Sequence, residues 1–436
     1  MRLKDYGRKP RLRKEFVQNP ELLIIGIDVS KRSHSACFGT NSIVLSKKFD
    51  FTNTRDGFQK FESYIRVLCR KHTCKQVLIG MEPSGLYWYG LYERLKKCGF
   101  SLCLVNCMAV KNNRKTLPDG ASKTDPKDAH SVYDLMSQGK FFLPVERDPE
   151  LSAAYRLMRK HMFYKKRVNR VQNQIRGALH LSFPELNDKI SNLTMPTSLR
   201  FLQSNPTPES IMRNGKKRFM KKWQPRRRCG QWRPEKFDAI YELAKQSIGI
   251  KDPQRIDEFE IKTMAHDLAD AVAKAKLWLD KAVELLIHRD DFQLLLSMPR
   301  IGNATATALL TAIGNIDEFS CGKQIVKLAG LDIRLYESGT SIKKRPRVTH
   351  IGSGFLRHWA YHYALRLVAH DPHFKILFER RKVSSPGKGA GQRALVAISD
   401  KILRIVYRML KGQEKYSPAK DNIVAAYYQS SHKLAA

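Results

Sequence analysis

Four carboxylates stand where the surrounding residues have little use for them. Leu22-Leu-Ile-Ile-Gly-Ile27 is an apolar, β-branched run that ends in Asp28, the pattern of a buried strand. Burying an unpaired carboxylate is expensive. Asp28 therefore belongs where the strand emerges, either as a turn residue or as the holder of something positive. Gln76-Val-Leu-Ile-Gly80 is a second short buried strand, and Met81-Glu82 repeats the arrangement at its end. In Lys123-Thr-Asp125-Pro-Lys-Asp128-Ala, Asp125 reads as a helix N-cap with proline at the first helical position. Asp128 then falls one turn on, so the two side chains share one end of a helix face. A capping pair accounts for the last two acids alone. Convergence on a divalent cation accounts for all four. Two Mg²⁺ ions held by carboxylates stabilise both the attacking and the leaving oxygen of a phosphodiester.

The charge of the chain points the same way. Its 436 residues carry 79 Lys and Arg against 41 Asp and Glu, a formal net charge of +38. Such an excess calls for a polyanion, with nucleic acid ahead of a membrane surface. No apolar run approaches the length of a membrane span, and the basic N-terminus is not followed by a signal-peptide core. The eight cysteines include no Cys-x-x-Cys pair and lack the usual zinc spacing; they read as free thiols of a reducing cytoplasm.

The cations gather at three places. Lys216, Lys217, Arg218, Lys221, Lys222, Arg226, Arg227 and Arg228 occupy thirteen residues with no acid, and Phe219 and Trp223 lie among them. Arginine interleaved with aromatics suits structured or single-stranded RNA, by stacking as well as charge; a plain basic loop is the alternative. Residues 296–310 read as a helix, a tight hairpin at Pro299-Arg300-Ile301-Gly302 and a second helix. Backbone N–H groups at such a hairpin hold phosphate. Finally, Glu337-Ser338-Gly339-Thr340-Ser341 is followed by Lys343, Lys344, Arg345 and Arg347. This is a backbone-binding polar loop, or a hydroxyl nucleophile on a glycine turn with cations to neutralise the phosphate.

The elements that position these groups follow from periodicity. Strands are expected near 22–30, 42–51, 76–80 and 100–105, with 34–38 pairing in a hairpin, and helices through Phe58–Leu68 spacing and over 86–98. This is a β-rich start followed by α/β alternation. Two long helices, 151–181 and 257–286, read as an antiparallel hairpin or stalk with a partly polar seam at His161, Lys165 and Gln172. Between them lies a Pro-, Arg- and Trp-containing insertion near 195–250. Helices follow at 323–328, 354–368 and 395–410, with a Gly-rich linker at 385–391. The expected organisation is a basic arm over 1–20, a catalytic domain over 21–145, a stalk over 146–290, a second catalytic domain over 291–420 and a tail over 421–436.

Gly26-Ile-Asp28-Val-Ser-Lys31, Met81-Glu82-Pro-Ser-Gly85, Lys123-Thr-Asp125-Pro-Lys-Asp128-Ala, Ala329-Gly-Leu-Asp-Ile-Arg334 and Ser338-Gly339, in this order, resemble the DEDD transposases of insertion-sequence family 110, relatives of the Piv DNA invertases. The resemblance spans most of 22–180 and 291–418. It implies a RuvC-like (RNase H-like) α/β domain whose Asp28, Glu82, Asp125 and Asp128 bind Mg²⁺, with Mn²⁺ as a substitute. It also implies a mainly α C-terminal transposase domain, with a helix-hairpin-helix-like segment and Ser338 as nucleophile. Such enzymes act on target and donor DNA in a bacterial or archaeal cell. They are guided by a structured element-encoded (bridge-type) RNA and work as homodimers or homotetramers. A hydrolytic junction nuclease, a non-catalytic nucleic-acid binder and an ATP-using relative of the sugar kinases are the rival readings, the last weakened by the lack of a phosphate-binding glycine pair. Each phosphate neutralised releases counter-ions, so affinity for nucleic acid is expected to fall steeply and linearly on a log–log plot against salt. A filter-binding or anisotropy series in KCl checks this; a flat plot would remove nucleic acid as the partner.

Overall fold

The computed structural model describes residues 10–85, 87–116, 125–143, 148–223, 232–251, 253–338 and 342–418; at Pro10, Asp125, 334–338 and 342–346 it describes the backbone alone. The chain divides into two compact units, Met1–Glu146 and Arg147–Ala436.

The first unit is built on β1 (Leu22–Val29), the middle strand of a five-stranded sheet. β2 (Ser33–Gly39) and β3 (Val44–Thr52) run antiparallel on one side; β4 (Gln76–Met81) and β5 (Ser101–Leu104) run parallel on the other, giving the order β3-β2-β1-β4-β5. A strand buried on both faces has no need of polar alternation. Leu23, Ile25 and Ile27 enter one core with Phe58, Phe61, Ile65 and Leu68 of helix α2 (Arg55–Lys71). Leu22 and Ile24 enter the other core, on the opposite face.

That second core corrects one expectation. The basic arm does not extend to residue 20: Pro10–Val17 form helix α1, with Phe16 and Val17 buried. Arg13 Nε donates to the Gly139 carbonyl at 3.1 Å. Residues 1–9 lie outside the described residues. Helix α3 (Tyr87–Lys97) falls close to its expected range. Helix α4 (Cys107–Arg114) was not expected; Asn106 caps it by accepting from the N–H groups of Met108 and Ala109. Helix α5 (Asp125–Ser137) begins at the acid expected as its cap, a difference of one residue.

In the second unit, α6 (Pro149–Ser182) pairs with α12 (Ile256–Glu284) as an antiparallel hairpin, as the His161–Ala275, Arg167–Asp267 and Leu181–Ile250 contacts require. Ala265, Ala271, Ala275 and Ala282 are buried on α12 and let α6 approach closely. The polar seam residue His161 is satisfied, with Nδ1 2.7 Å from the Ala275 carbonyl.

The insertion is a folded module. It contains α7 (Pro184–Lys189), α8 (Pro196–Ser204), α9 (Pro208–Met212), α10 (Gly215–Lys222) and α11 (Pro234–Lys245). The prolines that resemble chain breaks in the sequence open four of these helices, at positions where the missing N–H costs nothing. Phe183, Phe201, Phe219, Trp223, Trp232 and Phe237 form its core with the far halves of α6 and α12.

A separate core unites the near ends of the hairpin with α13 (Asp290–Leu296), α14 (Asn303–Ile313), α15 (Gly322–Leu328), α16 (Gly354–His370), α17 (Pro372–Ser384) and α18 (Ala390–Gly412). The segment from Glu337 to Arg347, expected as a polar loop, overlaps an antiparallel pair, β6 (Ile333–Ser338) and β7 (Ile342–Val348).

Glu258, on the first turn of α12, ties the insertion to the hairpin. It is 5 % exposed. It accepts from both terminal nitrogens of Arg213 and, at 2.6 Å, from Lys262 Nζ. Burial would raise its pKa, but the hydrogen bonds and charges of Arg213 and Lys262 override this and hold the carboxyl below its ordinary value. A depressed carboxylate contributes stability that is complete above its unfolded pKa and is lost as pH falls through the lower folded value. Glu258→Gln is therefore expected to destabilise the protein by about 3 kcal/mol near neutrality, the low end for breaking a buried pair because both cations are partly exposed. Urea unfolding at pH 7 and pH 3.5 checks it: the gap to wild type should narrow in acid.

Candidate active site

The site begins with two glycines. Gly26 and Gly80 face each other in the parallel register of β1 and β4. A Cβ on Gly26 would lie 2.3 Å from the Tyr133 backbone nitrogen and 2.6 Å from the Ala129 carbonyl oxygen; one on Gly80 would lie 2.2 Å from Met136 Sδ. Helix α5 thus rests on the backbone of the two strands. Side chains alternate along a strand, so Asp28, two residues beyond Gly26, faces the same helix. The last pair of β1 with β4 is Ile27 with Met81, which makes Asp28 and Glu82 the next neighbours across the strand ends. Both are half-buried.

Asp128 precedes Ala129, the residue whose carbonyl meets Gly26, and so lies on the first turns of α5 over those ends. It is 6 % exposed. Arg114 Nη1, from the last residue of α4, donates to Asp128 Oδ1 at 2.7 Å. The other end of α4 lies near Glu82, whose carboxylate acts on the Cys107 thiol. Desolvation first, and the Glu82 charge second, raise the Cys107 pKa above its ordinary value. Asp125 begins α5, and its side chain lies outside the described residues.

Carboxylate oxygens are the donors that Mg²⁺ and Mn²⁺ take, and the backbone brings three of the four acids to one end of the sheet. The acids thus fit a divalent ion in donor chemistry. Among the described residues, however, no three His, Cys, Asp or Glu side chains converge tightly enough to hold one ion. Asp128 is engaged by Arg114.

In the second unit, Ser338 closes β6 opposite Ile342. The side chains of Ser338, Lys343, Lys344 and Arg345, and residues 339–341, lie outside the described residues; Arg347 is exposed. The α13–α14 hairpin has the expected form. Arg300 adopts a left-handed φ of 55°, Gly302 is the N-cap of α14 and offers no side-chain cap, and the Tyr363 hydroxyl pins the Pro299 carbonyl at 2.7 Å. Arg366 of α16 is close by, with Nη1 3.5 Å from the position a Gly302 Cβ would take.

Two family models match the chain. One, described as transposase, covers residues 25–184; the other, described as transposase of the IS116/IS110/IS902 family, covers 292–379. The pilin gene-inverting protein of Moraxella bovis is 30 % identical over 391 residues, 89 % of this chain and 95 % of its own. The chain belongs to the IS116/IS110/IS902 transposase family. Insertion element proteins of Streptomyces clavuligerus (IS116) and Streptomyces coelicolor (IS110) are 23 % and 24 % identical, over 69 % and 67 % of the chain and 74 % and 71 % of their own lengths. The protein is a DNA transposase and recombinase. Its family implies dependence on a divalent metal and DNA as substrate.

The insertion falls between the two matched segments of the transposase, and its basic run is not the uniform RNA-facing loop the sequence suggested. Trp223 is 7 % exposed and stacks on Phe237 at 5.3 Å and 16°, so it serves the core. Lys216 is bound to Asp238 and Glu242, both at 2.7 Å, and Lys222 donates to Asn205 at 3.0 Å. Lys217, Arg218 and Lys221 are exposed; Arg226, Arg227 and Arg228 lie outside the described residues.

Sequence reasoning missed Gly26, Gly80 and Arg114. The signal for the glycines was present: Gly26-Ile-Asp28 and Gly80-Met-Glu82 repeat the same spacing, a bare position one pleat before each acid. Gly26→Ala is expected to lower stability by about 1–3 kcal/mol, because the methyl group meets backbone rather than a movable side chain. Gly90 has nothing within 4 Å of its would-be Cβ; on the exposed face of α3, Gly90→Ala should instead stabilise by about 0.5–1 kcal/mol. Denaturant unfolding of the pair checks both signs.

Proposed function

We propose that this transposase breaks and rejoins DNA with a metal site of Asp28, Glu82, Asp125 and Asp128 and a serine nucleophile, Ser338, under the guidance of a structured bridge-type RNA. The carrying observation is the register that sets Asp28 beside Glu82 on the sheet face covered by α5. The strand order, three antiparallel strands followed by two parallel ones, supports an RNase H-like reading of the first unit. Mg²⁺ is the expected ion, with Mn²⁺ as substitute.

When bound, divalent ions supply charge stabilisation at the scissile phosphate. The protein's own groups do the rest. Asp28 and Glu82 would hold the ions from the strand ends, and Asp125 and Asp128 would join them from the start of α5. The Ser338 oxygen attacks phosphorus and gives up its proton; the bond from phosphorus to the 3′ oxygen breaks, that oxygen takes a proton, and the phosphate remains esterified to serine. A hydroxyl is a weak nucleophile without help. The carboxylates belong to the first unit and Ser338 to the second, so the reading requires both to meet over one phosphate, within a chain or between the subunits of a dimer or tetramer. Arg300, Gly302, Lys343, Lys344, Arg345 and Arg347 are the proposed DNA-backbone contacts, and Lys217, Arg218 and Lys221 the proposed RNA contacts.

On a denaturing gel with labelled target DNA and co-purified RNA, Ser338→Ala should bind DNA and form no covalent adduct, and Ser341→Ala should be milder. Asp28→Asn should abolish cleavage and leave binding intact. An adduct that survives Ser338→Ala reassigns the nucleophile. Cleavage by wild type with no adduct favours a water-using nuclease.

A further inference from the structure

We propose that Arg114 is the resident cation of the carboxylate site: its guanidinium holds Asp128 when no divalent ion is bound, and it must leave Asp128 for the ion to enter. Arg114 thereby sets the metal affinity of the transposase. This rests on the reading of Asp128 as a metal ligand.

The Asp128 side chain is 8 % exposed and that of Arg114 19 %, with 2.7 Å between Nη1 and Oδ1. A carboxylate this buried is strongly destabilising without a cation. The other acids at this end of the sheet, Asp28 and Glu82, add negative charge and increase the need for one. A guanidinium and a divalent ion on the same oxygen would be like charges a few ångström apart, which repel strongly where solvent is scarce. One therefore excludes the other.

The placement of Arg114 suits an exchange. It is the last residue of α4, where a cation meets the negative end of the helix dipole. Helix α4 begins at Cys107, near Glu82, and ends at Arg114, which binds Asp128. One two-turn helix therefore borders two of the four acids, and movement of its last side chain releases Asp128 without unfolding the strand ends that carry Asp28 and Glu82.

The test uses the full-length protein, Mn²⁺ titration followed by calorimetry, and thermal melting in chelator and in Mn²⁺. Arg114→Gln should bind Mn²⁺ at least about tenfold more tightly than wild type, which corresponds to about 1.4 kcal/mol. It should melt below wild type in chelator and recover when Mn²⁺ is added. Arg114→Lys, which keeps a charge and folds if the glutamine variant does not, should be intermediate. In an Asp128→Asn background, replacing Arg114 should no longer change Mn²⁺ affinity. If Asp28→Asn abolishes Mn²⁺ binding but Arg114→Gln and Arg114→Lys bind no more tightly than wild type, Arg114 is a structural tie and the proposal is overturned, while the metal-site reading stands. If Mn²⁺ affinity is indifferent to Asp28 and Asp128 as well, both fall.

Discussion

The contact of α5 with bare backbone at Gly26 and Gly80 is the constraint on which the first unit depends. A helix that rests on side chains is held off the sheet by them; here the Ala129 carbonyl and Tyr133 amide come down to where a methyl group would be. That proximity brings Asp128 over the ends of β1 and β4. It also lets Tyr133 reach the Thr40 carbonyl beyond β2, where burial pushes the phenol up to about 12. The helix, the three strands and the acids are therefore one mechanical assembly, and the acids cannot shift along it singly.

Electrostatics sets the second constraint. A chain of charge +38 favours polyanions as partners, yet it concentrates carboxylates at one sheet end. Within the protein one of those acids, Asp128, is met by Arg114 of α4. In the second unit the same economy recurs at Glu258, buried between Arg213 and Lys262, and at Arg289, shared among Asp148, Glu150 and Asp291. In each, one buried or half-buried charge joins elements far apart in sequence.

How much of this was legible in the sequence depends on the range of the signal. β1, β4 and both long helices were readable, because a doubly buried strand and an amphipathic helix carry their evidence within a few residues. The Gly-x-acid spacing was visible but mute, since the helix that explains it lies about a hundred residues on in β1's case. Trp223 misled for a related reason. Among lysines and arginines it looks like a stacking platform, and the rings that bury it, Phe201 and Phe237, come from other helices. Helix α4 was not found because it is short and polar, with only Val110 fully buried. The insertion's prolines carried no assignment in the sequence, although four of them open helices.

The two glycines also make the surface on which α5 docks. Neither offers a side chain for α5 to recognise; that surface exists only where β1 and β4 lie side by side. The buried position of Asp128 is therefore available only where the parallel pairing is intact, and a substitution that parted β1 from β4 would release α5 and Asp128 together.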